Sequence, residues 1–299
     1  MAAPSTTHVR RTLRLTITVT VLLGTLGVSW GVAVGSQMIL LDGVFALVEV
    51  ALTALLLRAP SLATQGPTNN FPYGRESATP LVIGVYGFVL AGTLLYASVE
   101  AIATIRDGGS DVTAGSGIVF GLITTAGSFG TWMWLRSAAD GSDLLATETA
   151  AWRVSAFRGL GMVIGFTLMA LFVRADLDDT ARFVDPVMVL ITCVVFVPTP
   201  VRMIRSTVLE LLEGHPAGTI RDGVEAHVES VRRDFDLGPL TSRITKVGPK
   251  LYVEIEGWID PETTVADEHR VRQRIFDALD ELPYDIWLNV ELLPEPTEE

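Results

Sequence analysis

Residues 38–57 read Met-Ile-Leu-Leu-Asp-Gly-Val-Phe-Ala-Leu-Val-Glu-Val-Ala-Leu-Thr-Ala-Leu-Leu-Leu. At ~1.5 Å per residue this proline-free run is long enough to cross about 30 Å of hydrocarbon as one helix. It nevertheless carries Asp42 and Glu49. An ionised side chain in a bilayer costs several kcal/mol unless it faces water or a partner, so both acids are functional candidates.

Five more stretches share the apolar character: Leu13–Val34, Pro80–Ala103, Ala114–Leu135, Trp152–Val173 and Asp185–Met203. The composition agrees, with 49% hydrophobic and only 19% charged residues over 299 positions. The mean hydropathy is +0.42. Apolar residues clustered in this way argue for membrane spans over one large core. Arg10, Arg11 and Arg14 precede the first run without a small-residue cleavage site, so that run reads as a retained helix. Between the second and third runs, Pro60, Pro67 and Pro72 with Gly66 and Gly74 mark an irregular loop.

Arginine placement sets the expected orientation, because positive loops stay cytoplasmic. With the N-terminus inside, Arg10, Arg11, Arg14, Arg58, Arg75, Arg136, Arg153, Arg158, Arg202 and Arg205 fall on or near the inner side. Only Arg106, Arg174 and Arg182 fall outside, beside Asp107, Asp111, Asp176, Asp178 and Asp179. The expectation is a multi-pass protein of the cell's inner (plasma) membrane with both termini cytoplasmic.

Residues 1–205 hold 13 Arg and 13 Asp+Glu, so the net −12 resides in 206–299, where 9 Lys+Arg face 21 Asp+Glu. Such an acidic block suits a solvated domain and is a poor binder of nucleic acid. Ile220, Val224, Val228, Val231 and Phe235 follow helical spacing. Leu240–Lys246 and Leu251–Trp258 read as strands around a Gly248-Pro249 turn, followed by an amphipathic helix, Thr264–Leu282, and a last strand, Asp285–Leu292. The fold class expected is an all-α six-helix transmembrane domain followed by a C-terminal α+β cytoplasmic domain of order αββαβ. Its boundaries are a cytoplasmic tail at 1–12, the membrane domain at 13–205, a linker at 206–215 and the C-terminal domain at 216–299. About 80 residues is small for independent folding, which points to a homodimer, expected in the lipid bilayer through this domain and the membrane domain together.

Asp42 and Glu49 lie seven residues apart, on one helix face and about 10 Å from each other, too far for one ion to bind both directly. Glu49 is about two to three turns from either end of its span. Glu100 sits near the end of the third span, and Glu148 precedes the fifth. Arg153 is placed to snorkel, while Arg158 is deep enough to pair with Glu49. Gly121, Gly127 and Gly130, with Gly159, Gly161 and Gly165, suggest close helix packing. Cys193 is the single cysteine and excludes an intrachain disulfide. No nucleophile–base constellation and no phosphate-cradling loop argues for an enzyme.

The arrangement resembles a cation diffusion facilitator over nearly the whole chain. Four segments carry the resemblance: Leu41–Glu49, the Phe71-Pro72-Tyr73-Gly74-Arg75-Glu76 loop, Val184-Asp185-Pro186, and Trp287-Leu288-Asn289-Val290. The Phe-Pro-Tyr-Gly loop and the Asp-Gly-Val-Phe helix are similar to a bacterial and archaeal branch of cobalt, zinc and cadmium transporters. The resemblance implies a ferredoxin- or metallochaperone-like tail that dimerises. It also implies export of a divalent metal cation from the cytoplasm, by proton exchange. The family's four ligands come as i, i+4 pairs from the second and fifth spans. Here those positions hold Phe45, Glu49, Ala151 and Ser155, with Asp42 and Glu148 one step outside.

Only Glu49 keeps a strong ligand, and Ser155 offers a neutral oxygen. A site of oxygens without His or Cys favours manganese or magnesium over tightly held zinc, with Asp42 and Glu148 assisting along the path. In relatives the tail binds regulatory metal, for which His215, His227 and His269 are the candidates here, without diagnostic spacing. Phe71 stands where relatives often carry a histidine, and the loop between spans four and five has no His-rich tract. The alternative implied by so degenerate a site is a non-transporting membrane scaffold or a metal-sensing regulator.

Overall fold

Long apolar runs with few helix breakers leave the backbone no partner but itself, and they fold as long helices. The computed structural model describes residues 6–63, 68–72, 74–138, 143–216, 218–248 and 250–294. Gly66, Pro67, Tyr73 and Pro249, to which the sequence gives loop and turn roles, lie outside the described residues, as do the side chains of Arg10, Arg11 and Arg58. Five helices come first: α1 (Thr6–Val34), α2 (Gln37–Ala63), α3 (Ala78–Arg106), α4 (Ala114–Ala138) and α5 (Asp143–Arg174). The short α6 (Asp178–Ala181) leads into α7 (Val184–Phe196) and α8 (Pro198–Leu211).

Among the described residues five stretches are long and apolar enough to cross a membrane: Arg14–Val34, Ala78–Arg106, Ala114–Ser137, Glu148–Arg174 and Asp178–Leu211. The second expected span falls within α2, which is not among the five. Its side chains are described without a gap only from Gln37 to Leu52. The sixth expected span is interrupted at Val197. Pro198 and Pro200 have no N–H to give the preceding turn, which accounts for the break. Residues 206–215, expected as a linker, are helical as far as Leu211.

The described chain divides into two compact units, Met1–Ala54 with Phe88–Val201, and Leu55–Gly87 with Arg202–Glu299. In the first unit, Ile39, Phe120, Met162, Phe166 and Val189 are almost fully buried in one core. Helices α1 and α2 cross where neither has a side chain: a Cβ on Gly43 would lie 2.4 Å from the Val28 backbone nitrogen. Gly159 likewise lets α5 approach Thr125 of α4, while Gly130 and Gly161 face open space.

The start of α2 is capped from another helix. Ser36 Oγ accepts from Ile39 N at 3.2 Å and donates to Asp185 Oδ1 at 2.6 Å. Gln37 N and Met38 N donate to the same carboxylate at 2.9 and 3.3 Å. Three donors converging on one side chain call for an acceptor, and a carboxylate at a helix N-terminus is favoured by the helix dipole as well.

The second unit contains the αββαβ fold: α9 (Gly218–Asp234), β1 (Leu240–Val247), β2 (Lys250–Ile259), α10 (Val265–Leu279) and β3 (Asp285–Pro294). The sheet order is β1-β2-β3, with β1 antiparallel and β3 parallel to β2. Leu251, Val253 and Ile255 alternate into a core with Val224, Val228, Val231, Ile275 and Leu279 of α9 and α10. Gly248 takes φ +59° in the β1–β2 turn, a conformation that favours glycine. Thr264 and Asp267 form a capping box at the start of α10.

Candidate functional site

Helix α2 presents Asp42 and Glu49 on one face, and α5 presents Glu148, Ser155 and Arg158. The structure corrects one expected pairing: Arg158 Nε lies 2.8 Å from Asp42 Oδ1, and the ion pair is made there rather than to Glu49. The two side chains are only 20% and 12% exposed. Asp42 is therefore held by a partner instead of reaching outward alone. The physical reason is reach: a guanidinium on its long stem goes to the acid level with it, and the two acids lie two helix turns, about 10 Å, apart in depth.

Glu49 is exposed. It makes no ion pair among the described residues, yet it stands within electrostatic range of Arg158, Glu148 and Asp42. Glu148 Oε1 accepts from Trp152 Nε1 at 3.1 Å, one turn along α5. Ser155 is half-buried between Trp152 and Arg158 on that helix. Phe45 fills one expected ligand position, packing on Phe196 with ring centroids 6.2 Å apart. Ala151 is exposed at another. Among the described residues no group of three or more His, Cys, Asp or Glu side chains is arranged to hold a metal ion.

Glu100 is exposed and lies on the wall of an apolar cavity of about 440 Å³ between α2, α3 and α7, together with Leu40, Val44, Val89, Tyr96 and Val189. Neither Glu49 nor Arg158 reaches it. The tail histidines are not brought together. His215 and His269 are exposed, and His227 Nδ1 lies 2.6 Å from Gly223 O of its own helix.

The second unit holds a polar cluster that the sequence did not announce. Lys250 Nζ lies 2.8 Å from Glu76 Oε1, Lys246 Nζ 3.5 Å from Glu210 Oε1, and Gly248 N donates to Glu210 Oε2 at 3.2 Å. Burial pushes the Glu76 carboxyl up, but hydrogen bonds from Lys250 and from its own backbone N–H, with the charge of Lys250, together outweigh it and hold the carboxyl below its ordinary value. The signal available in sequence was an acid at each membrane-proximal helix end facing lysines at a turn. Asp185 was likewise visible only as an acid one residue into an apolar segment, with Ser36 just ahead of α2 as a potential cap.

Long apolar helices joined by a sheltered ion pair, followed by an acidic α+β domain, define a multi-pass membrane protein. A model of the cation efflux transmembrane domain matches residues 13–212, about two thirds of the chain. The chain belongs to that family, the cation diffusion facilitators, and is a cation transporter of the family, whose substrates are divalent metal ions. A comparison with curated proteins found no match.

Proposed function

We propose that the chain exports a divalent cation from the cytoplasm in exchange for protons, as a homodimer with six crossings per protomer and both termini cytoplasmic in the cell's inner membrane. The observation that carries the reading is Glu49, an acid far inside a long apolar helix that is exposed and makes no ion pair among the described residues. Helical register supports the site around it. Three crossings separate α2 from α5, so the two run in opposite senses. Starting from the Asp42–Arg158 pair, seven residues along each helix put Glu49 level with Ala151. Glu148 and Ser155 then flank that level by about one turn each, ~5 Å on either side.

One strong carboxylate, a second acid nearby and a hydroxyl suit a hard ion that retains part of its water, manganese or magnesium, better than zinc. Glu49 would meet the two sides of the membrane in turn as the helices rock.

The test is divalent-cation flux in proteoliposomes under an imposed pH gradient, with the full chain and with Glu49→Gln. Loss of at least about tenfold in the variant is expected if one carboxylate supplies most of the charge that binds the ion. Undiminished flux would remove Glu49 from the mechanism. A second reading, a non-transporting scaffold or metal-sensing regulator, draws support from Phe45 packed on Phe196 at a ligand position. It requires that wild-type protein move none of manganese, magnesium, zinc, cobalt or cadmium.

A further inference from the structure

A guanidinium keeps its proton at any pH a cell meets, so Arg158 contributes a fixed positive charge to the membrane domain. Its Nε is 2.8 Å from Asp42, and it also acts on Glu49 at range. Asp42, Glu49 and Glu148, when ionised, supply three negative charges, and Arg158 offsets one of them, leaving the charge that a single divalent cation neutralises.

We propose that Arg158 is a tethered counter-cation that withholds Asp42 from the transported ion and sets the site to take one divalent cation at a time. The inference rests on the cation site at Glu49 proposed above and makes Arg158 a positioning and selectivity residue rather than a ligand. Asp42 is seven residues from Glu49, about 10 Å along the helix, whereas ligand oxygens around one such ion sit 2.0–2.6 Å from it. An ion at Glu49 therefore meets Asp42 and Arg158 as a nearly neutral pair. Without the guanidinium, Asp42 would present a bare carboxylate in a low-dielectric setting, strengthening attraction for the first ion and offering a station for a second.

The experiment measures equilibrium binding of Mn²⁺ to the purified full chain in detergent, reading free Mn²⁺ by electron paramagnetic resonance. Arg158→Gln is expected to tighten the apparent Kd by about tenfold or to raise the number of ions bound above the wild-type value. The double variant Arg158→Gln with Asp42→Asn replaces the ion pair by a neutral hydrogen-bonding pair and keeps the −2 balance, so it is expected to bind as wild type does. Unchanged affinity and stoichiometry in Arg158→Gln would overturn the proposal, as would loss of binding in the double variant, because Asp42 would then be a ligand. If Arg158→Gln does not fold, the double variant decides alone. Flux with no change in binding defeats the role given to Arg158 and leaves export standing, whereas the binding change without flux does the reverse.

Discussion

Replacing Asp185 by alanine strips the start of α2 of the acceptor that ties it to α7. Asp185 is fully buried, at 0% exposure. Ser36 Oγ, Gln37 N and Met38 N all donate to it, at 2.6, 2.9 and 3.3 Å. Ser36 and Met38 are buried and Gln37 half-buried, so alanine leaves those donors little water to turn to. Each buried donor left unsatisfied costs about 1–3 kcal/mol, and the lost interaction of a carboxylate with the helix N-terminus adds about 0.3–2 kcal/mol. Ser36 still accepts from Ile39, and local rearrangement recovers part of the loss, so a net destabilisation of about 3–5 kcal/mol is expected. Asparagine preserves the shape but turns an NH₂ toward donors, which should cost about 2 kcal/mol. Thermal unfolding of the purified full chain in detergent measures both. At roughly 2–4 °C per kcal/mol for a large chain, alanine should lower Tm by about 10 °C and asparagine by about half as much. A Tm for the alanine variant within a degree or two of wild type would refute the idea that this carboxylate anchors α2.

The remaining predictions concern packing and pH. Gly43→Leu should prevent α1 and α2 from meeting, because even a Cβ there falls 2.4 Å from Val28 N; a monodisperse elution profile with wild-type Tm would contradict it. Lys250→Met should remove a stabilisation that depends on pH, since Glu76 is held below its ordinary 4.5 and Lys250, hydrogen-bonded to Glu76, above its ordinary 10.5. That stabilisation is complete between those two values, fades as pH falls through the lowered carboxyl value, and fades again as pH rises through the raised ammonium value. The Tm gap between wild type and variant should therefore narrow below pH 4.5, and a gap that stays constant from pH 7 to pH 3 would sink the argument.

Helix existence was legible because apolar length is written directly into the chain, and α1, α3, α4 and α5 all contain the stretches read from it. The tail was legible through its two periods: Leu251, Val253 and Ile255 alternate, while Val224, Val228 and Val231 recur at helical spacing. Strand ends were read less well. Strand β2 begins at Lys250 and ends at Ile259 because its partners Asp285 and Pro294 on β3 extend the ladder, and partner choice is a tertiary fact. The Asp42–Arg158 pair was read wrongly for the same kind of reason. Sequence gives each residue's angle on its own helix but not the depth at which α2 and α5 meet, and that depth decides that Arg158 reaches Asp42. The Asp185 cap joins residues 149 positions apart, beyond the reach of any local pattern.

On the export reading proposed above, Phe45, Ala151 and Arg158 make physical sense together. Phe45 packed on Phe196 supplies apolar volume, which lowers the local dielectric and raises the cost of any unpaired charge nearby. Asp42 could not remain bare in such surroundings, and Arg158 satisfies it at 2.8 Å. On the proposed reading, once that pair forms, the charge left for a transported ion is that of Glu49 with Glu148 in range. An ion that must give up all its water would find too few oxygens there. One that keeps several waters and needs only one or two carboxylates would not, and hard divalent ions bind in that way. On the export reading, then, a sparse site selects against zinc through the number of ligands it lacks, and Phe45, Ala151 and Arg158 are parts of that selectivity rather than marks of a lost one.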